Sequence, residues 1–225
     1  GENGAGKSTL MSILSGRLRP DEGRIRIDGV PFAALSTRQS IDAGIGMVYQ
    51  NFMLVEAMTV AENIYLGLRH GHVLSRVVMA ERVRSLAEQY GLYVDPEARI
   101  DSLSMGERQR VEILKLLIRE SRVLIFDEPT AVLTPREIDQ LVSAMRQMAA
   151  QGKAIVFISH KLGEVMTVAD EIAILRKGAV VGEMPASAVQ STAALARRMV
   201  GREVLLRVER QAVEPKQVVL CIEAL

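Results

Sequence analysis

Eight residues at the start of the chain, Gly1-Glu2-Asn3-Gly4-Ala5-Gly6-Lys7-Ser8, have the composition and spacing of an anion cradle. Glycines let successive backbone N–H groups turn toward one concave face. Lys7 adds a point charge, and Ser8 offers a hydroxyl able to ligate Mg²⁺. A helix from Lys7 to about Leu14 would aim its positive end at the same anion. Gly1, Asn3, Gly4, Ala5, Gly6, Lys7, Ser8 and Thr9 are therefore the candidate polyphosphate ligands. The plain alternative is a glycine-rich turn that caps a helix, and the rest of the chain weighs against it.

Val123-Leu124-Ile125-Phe126-Asp127-Glu128 is an apolar run that ends in two adjacent carboxylates. Asp127 at a strand end can hold the water shell of Mg²⁺, and Glu128 beside it can polarise an attacking water. Ser104 and Gly106 lie just before a helix expected from Glu107 to Arg119. They can present a hydroxyl and backbone N–H groups to a phosphate, although Ser104 as a simple N-cap is the bland reading. Gln50 and His160 each follow an apolar strand, Gly46–Tyr49 and Ile155–Ser159 respectively.

These groups need a frame. Val123–Phe126 and Ala154–Ile158 read as strands buried on both faces of a parallel sheet. Thr134-Pro135-Arg136-Glu137 starts a helix with a cap, a first-turn proline and a capping box, and that helix should stop near Gly152. Met79 to Tyr90 is helical, with Val83, Leu86, Ala87 and Tyr90 on one stripe. Arg24–Ile27 before Asp28-Gly29 is a short strand and turn, and Glu171–Leu175 with Ala179–Glu183 forms a hairpin around Lys177-Gly178. Strands alternating with helices give an α/β fold with a mostly parallel sheet. The stretch from about 51 to 120 holds no convincing strand and reads as a helical insertion. Residues 200–216 read as a linker, and 217–225, with the apolar run Val218–Ile222, as the start of a second domain.

The bulk numbers bound the class. A chain of 225 residues with 48% hydrophobic content suits one domain, or one and part of another. A net charge of +1, with no block of like charges, gives no sign of a basic nucleic-acid tail. The single cysteine, Cys221, excludes an internal disulfide framework. No apolar run reaches the roughly 18 residues needed to span a bilayer. A chain that begins at the first glycine of such a loop is expected to lack the strand that delivers it.

Leu103-Ser104-Met105-Gly106-Glu107-Arg108-Gln109-Arg110 resembles the signature motif of ATP-binding cassette (ABC) proteins, whose usual form is Leu-Ser-Gly-Gly-Gln. Gln50 resembles that family's Q-loop glutamine, and His160 its switch histidine. The segments 47–55, 59–64 and 127–135 resemble the N-terminal cassette of tandem importer ATPases that serve simple sugars or nucleosides. The resemblance implies a P-loop NTPase core with a helical ABC subdomain over about 51–120, in a cassette spanning 1–199, and a second cassette in the same full-length chain. It implies ATP and Mg²⁺ as ligands, with Ser8, Gln50 and Asp127 toward the metal and Glu128, His160 and Gln50 in catalysis. It also implies transmembrane permease subunits, an extracytoplasmic solute-binding protein, no nucleic acid, and a peripheral place on the cytoplasmic face of the plasma membrane. Phe52 to Val55 would then line a permease groove. A soluble ABC ATPase of translation or DNA repair would share every nucleotide motif, but such proteins usually carry a long charged linker and no apolar groove. Met105 and Glu107 depart from the family pattern, as does the acid-free Ala131-Val132-Leu133-Thr134. Because ABC cassettes pair head to tail, those departures fall on the surfaces that serve the opposite nucleotide site.

Overall fold

A computed structural model describes residues 4–68 and 75–200. Its centre is a parallel sheet of β3 (Ile45–Val48), β4 (Val123–Asp127) and β5 (Ala154–Ile158), with β4 in the middle. Met47 faces Ile125, and Asp127 faces Ile158. The unbroken apolar run of β4 follows from burial on both sides, since successive side chains point to opposite faces. Leu124 and Phe126 join the larger core with Val48, Leu114 and Met148. Ile125 joins Met11, Ile45, Met47 and Ile158 on the other face.

Helix α1 (Lys7–Leu14) follows the glycine loop as expected. Two short elements follow the hairpin of β1 (Ile25–Ile27) and β2 (Val30–Phe32): α2 (Thr37–Asp42), then β3. Between β3 and β4 come α3 (Val60–Tyr65), α4 (Arg76–Tyr90) and α5 (Met105–Ile118), with no strand among the described residues there. Helix α6 (Pro135–Ala150) has the Thr134 cap, the first-turn proline and the Glu137 box read from the sequence. After β5 come α7 (Leu162–Val168), the hairpin of β6 (Glu171–Arg176) and β7 (Ala179–Pro185), and α8 (Thr192–Val200). Leu195 and Met199 of α8 pack on Ile172 and Ile174. Both hairpins turn on two left-handed residues, Asp28-Gly29 and Lys177-Gly178, which is the twist that two-residue turns require.

The signature helix departs from expectation. It starts at Met105, not Glu107, because Ser104 takes the N-cap position and closes a capping box with Glu107. Gly106 therefore lies inside the first turn. The readings of a linker and a further strand fall mainly on residues 201–225, outside the described residues.

Candidate functional site

The glycine loop is held from two sides. Gly4 and Gly6 have φ of 76° and 95°, a region closed to most side chains. The Ala5 carbonyl accepts from the Gly178 N–H of the β6–β7 turn at 3.0 Å. A trans peptide sets C=O and N–H antiparallel, so the Gly6 N–H points away from that hairpin. Gly6 caps α1 without a side-chain bond, and the first-turn N–H groups of a helix have no intrahelical acceptor. The result is a ring of donors at a positive helix end.

A cavity of about 330 Å³ opens there, lined by Gly4, Ala5, Gly6, Lys7, Ser8, Thr9, Gln50 and Glu128. Eight of the sequence-derived candidates thus share one wall. Gly1 and Asn3 lie outside the described residues. Asp127 is 5% exposed, at the end of β4 behind the cavity rather than on its lining. Glu128 adopts φ of 51°, unusual for a residue with a side chain. That strained turn breaks the strand direction, and its N–H still closes the ladder on the Ile158 carbonyl at 2.9 Å. His160 Nδ1 lies 2.9 Å from Glu128 Oε2, with the carboxylate largely enclosed and the imidazole half exposed. Ser8, Gln50 and Asp127 supply only oxygen donors, one of them a carboxylate. That set suits Mg²⁺, which takes one or two protein carboxylates and completes its shell with phosphate and water. No cluster of three acids, histidines or cysteines suited to a metal occurs among the described residues.

Ser104 and Gly106 do not reach this cavity; they sit at the start of α5. The Ser104 hydroxyl donates to Glu107 Oε2 at 2.7 Å, and its N–H donates to the same oxygen at 2.9 Å. The chain's own carboxylate thus occupies the helix end to which a phosphate would come. Gly106 is buried, and a Cβ there would lie 1.8 Å from Glu137 Oε1. Its missing side chain makes room for the capping carboxylate of α6, whose Oε1 faces Arg110 Nη2 at 3.6 Å. The Thr134 N–H, then its hydroxyl, holds the Glu137 carboxyl below its ordinary value. Met105 stays exposed.

The segment after Gln50 is clamped to α5. Glu112, 4% exposed, accepts the Met53 N–H at 2.6 Å, and Lys115 Nζ donates to the Met53 carbonyl at 2.7 Å. The two side chains pair at 3.4 Å. Burial pushes the Lys115 ammonium below its usual pKa, with Glu112 opposing that shift. Sequence reasoning missed this pair; its signal was an acid set among Val111, Ile113 and Leu114. Of the expected groove residues, Met53 and Val55 are exposed, whereas Leu54 packs against the core.

Residues 1–131 match the family described as ABC transporter. The nucleoside import ATP-binding protein NupA of Lactococcus lactis is 47% identical over 227 residues, covering 100% of this chain and 45% of that protein. The ribose import ATP-binding protein RbsA 1 of Rubrobacter xylanophilus is 45% identical, again over 100% of this chain and 45% of its own length. The chain spans about half the length of the curated relatives it matches. Among solved structures, a dimeric ATP-binding cassette in a post-hydrolysis state, bound to ADP and Pi, superposes with a TM-score of 0.72. It is 24% identical and covers 82% of each chain, a likeness of fold.

Proposed function

This chain belongs to the ABC transporter family, and we propose that it is the ATP-binding and hydrolysing cassette of an importer for nucleosides or simple sugars. The observation that carries the proposal is the single cavity that gathers the glycine loop, Gln50 and Glu128, with His160 on the far side of Glu128. Lys7 and the loop N–H groups bind the outer phosphates. Glu128 accepts the proton of the attacking water, and His160 holds the carboxylate in place. Ser8, Gln50 and Asp127 would hold Mg²⁺, which when bound would supply positive charge against the polyphosphate.

Solute class is proposed from the relatives, which include import ATP-binding proteins for nucleosides and for ribose. The partners proposed are permease subunits, a solute-binding protein and a second cassette of the same full-length protein, at the cytoplasmic face of the membrane. Among the described residues no helix is long and apolar enough to cross a membrane. Exposed Met53, braced by Glu112 and Lys115, and exposed Val55, held by Asn63, are the residues best placed to meet a permease. The two composite sites of such a pair would be unequal, because Glu107 fills the anion position of this chain's signature helix. The test is uptake of labelled nucleoside and ribose by cells whose intact protein carries Lys7→Ala. Loss of uptake by at least about a hundredfold is expected for removal of a phosphate-site charge. Uptake at the wild-type rate would overturn the proposal.

A further inference from the structure

We infer that Glu164 is a positioning residue of the hydrolytic centre: one carboxylate oxygen ties together the loops that carry Glu128 and His160. The inference rests on the proposed hydrolytic role of those two residues.

The loops leave the ends of adjacent strands, β4 and β5. The bond from the Glu128 N–H to the Ile158 carbonyl is the last backbone tie between them. Beyond that point the connection passes through side chains. Thr130 Oγ1, two residues after Glu128, donates to Glu164 Oε2 at 2.6 Å. Ser159 Oγ, one residue before His160, donates to the same oxygen at 3.2 Å. Thr130 and Ser159 are both buried, at 2% and 8% exposure, so each hydroxyl needs a hydrogen-bond partner, and Glu164 supplies it. Lys161 adds a second strap. Its Nζ donates to the Thr130 carbonyl at 3.1 Å and pairs with Glu164 Oε1 at 3.2 Å. Its N–H donates to Ser159 Oγ at 3.0 Å. Glu164 does not line the nucleotide cavity. It acts on the neighbours of the catalytic pair, and so on the 2.9 Å separation between Glu128 and His160.

Glu128 sits in a strained left-handed turn that relaxes unless its surroundings hold it. Without Glu164, only Lys161 still joins the Thr130 side of the turn to the Ser159 side of the next loop, and that strap has lost its own carboxylate partner. A catalytic pair tolerates little movement, since displacement by about 1 Å costs about a hundredfold in rate.

The test is steady-state MgATP hydrolysis by the intact protein. Glu164→Ala should lower kcat by about tenfold to a hundredfold with KM and nucleotide affinity unchanged, because no ligand contact is lost. Glu164→Gln, whose amide oxygen still accepts both hydroxyls, should recover most of the rate. His160→Ala/Glu164→Ala should be no slower than His160→Ala alone within about twofold, because both act through one pair. A wild-type kcat for Glu164→Ala, or losses that multiply in the double variant, would overturn the inference. If Glu164→Ala fails to fold, Thr130→Val and Ser159→Ala each remove one donor, and wild-type rates in both would overturn it equally. Glu128→Gln run alongside separates the two levels. Full turnover there would remove the hydrolytic reading itself. An inactive Glu128→Gln beside a fully active Glu164→Ala would remove only the inference about Glu164.

Discussion

Replacing Glu112 by alanine should destabilise the fold strongly at neutral pH and much less in alkali. Glu112 is 4% exposed and holds two partners, the Met53 N–H and the Lys115 ammonium. Removing one member of a buried ion pair costs about 3–5 kcal/mol, because the surviving charge is left uncompensated. An orphaned buried N–H costs about 1–3 kcal/mol. The two losses share a site and do not add. Lys115 keeps some solvent access, so about 3–4 kcal/mol in total is expected. The pH dependence follows from Lys115. Burial already holds its folded pKa below the unfolded value, and Glu112 is the group that raises it. Without Glu112 the folded value falls further, while the unfolded value stays at that of an ordinary lysine. Between the two values the unfolded chain binds more protons, so stability rises with pH across that window. The variant gains more from this rise than the wild type does, and its deficit narrows. Urea titrations at about pH 7 and about pH 9.5 measure the deficit directly. Glu112→Ala/Lys115→Met, which removes the stranded charge, should cost less than Glu112→Ala alone. A deficit below about 1 kcal/mol at neutral pH, or one that does not change with pH, would refute the reasoning.

Glu137→Gln should keep the capping geometry and cost about 0.5–1 kcal/mol at neutral pH. The Glu137 carboxyl is held below its ordinary value by Thr134, so the wild type's advantage is present above that ordinary value. It should vanish as pH falls through the lowered value, and acid-titrated thermal melts that keep a constant gap would contradict this. Glu107→Gln should cost less than about 1 kcal/mol in stability, yet remove a negative charge from the Ser104 end of α5. If the protein pairs two cassettes as proposed, nucleotide titration of the intact protein should then show the weaker of two sites tightening by about threefold or more, since two unit charges near a protein surface interact by up to about 4 kcal/mol at 4 Å; unchanged affinities at both sites would refute it.

Much of the frame was legible because it is local. The β4 run, the Thr134-Pro135 helix start and the Lys177-Gly178 turn each carry their own signal within a few residues. The loop, Gln50 and Glu128 were legible as candidates because their chemistry is tied to residue type, and the fold brings them to one cavity. Short elements were harder to read. Helices α2 and α3 span six residues each, too few for a helical stripe, although Ser36 with Gln39 and Thr59 with Glu62 form capping boxes. Strand β2 is three residues with Pro31 at its centre, tolerated because among the described residues no strand pairs with its outer side. Of the signature, the Ser104 cap was legible as the plain reading, but the packing of Gly106 was not. Gly106 yields to Glu137 only because α5 and α6 start side by side. The Glu164 tie likewise exists only because β4 and β5 are neighbours, which brings Thr130 and Ser159 together across 28 intervening positions of sequence.

The most direct measurement is MgATP turnover and ATP binding by the intact protein carrying Glu128→Gln. The amide keeps the shape of the carboxylate and loses its ability to take a proton. Binding should be retained, since Lys7 and the loop N–H groups are untouched, and turnover should fall by at least about a hundredfold, the contribution of a positioned general base. Near-normal turnover with binding intact would contradict the assignment of Glu128 as the base.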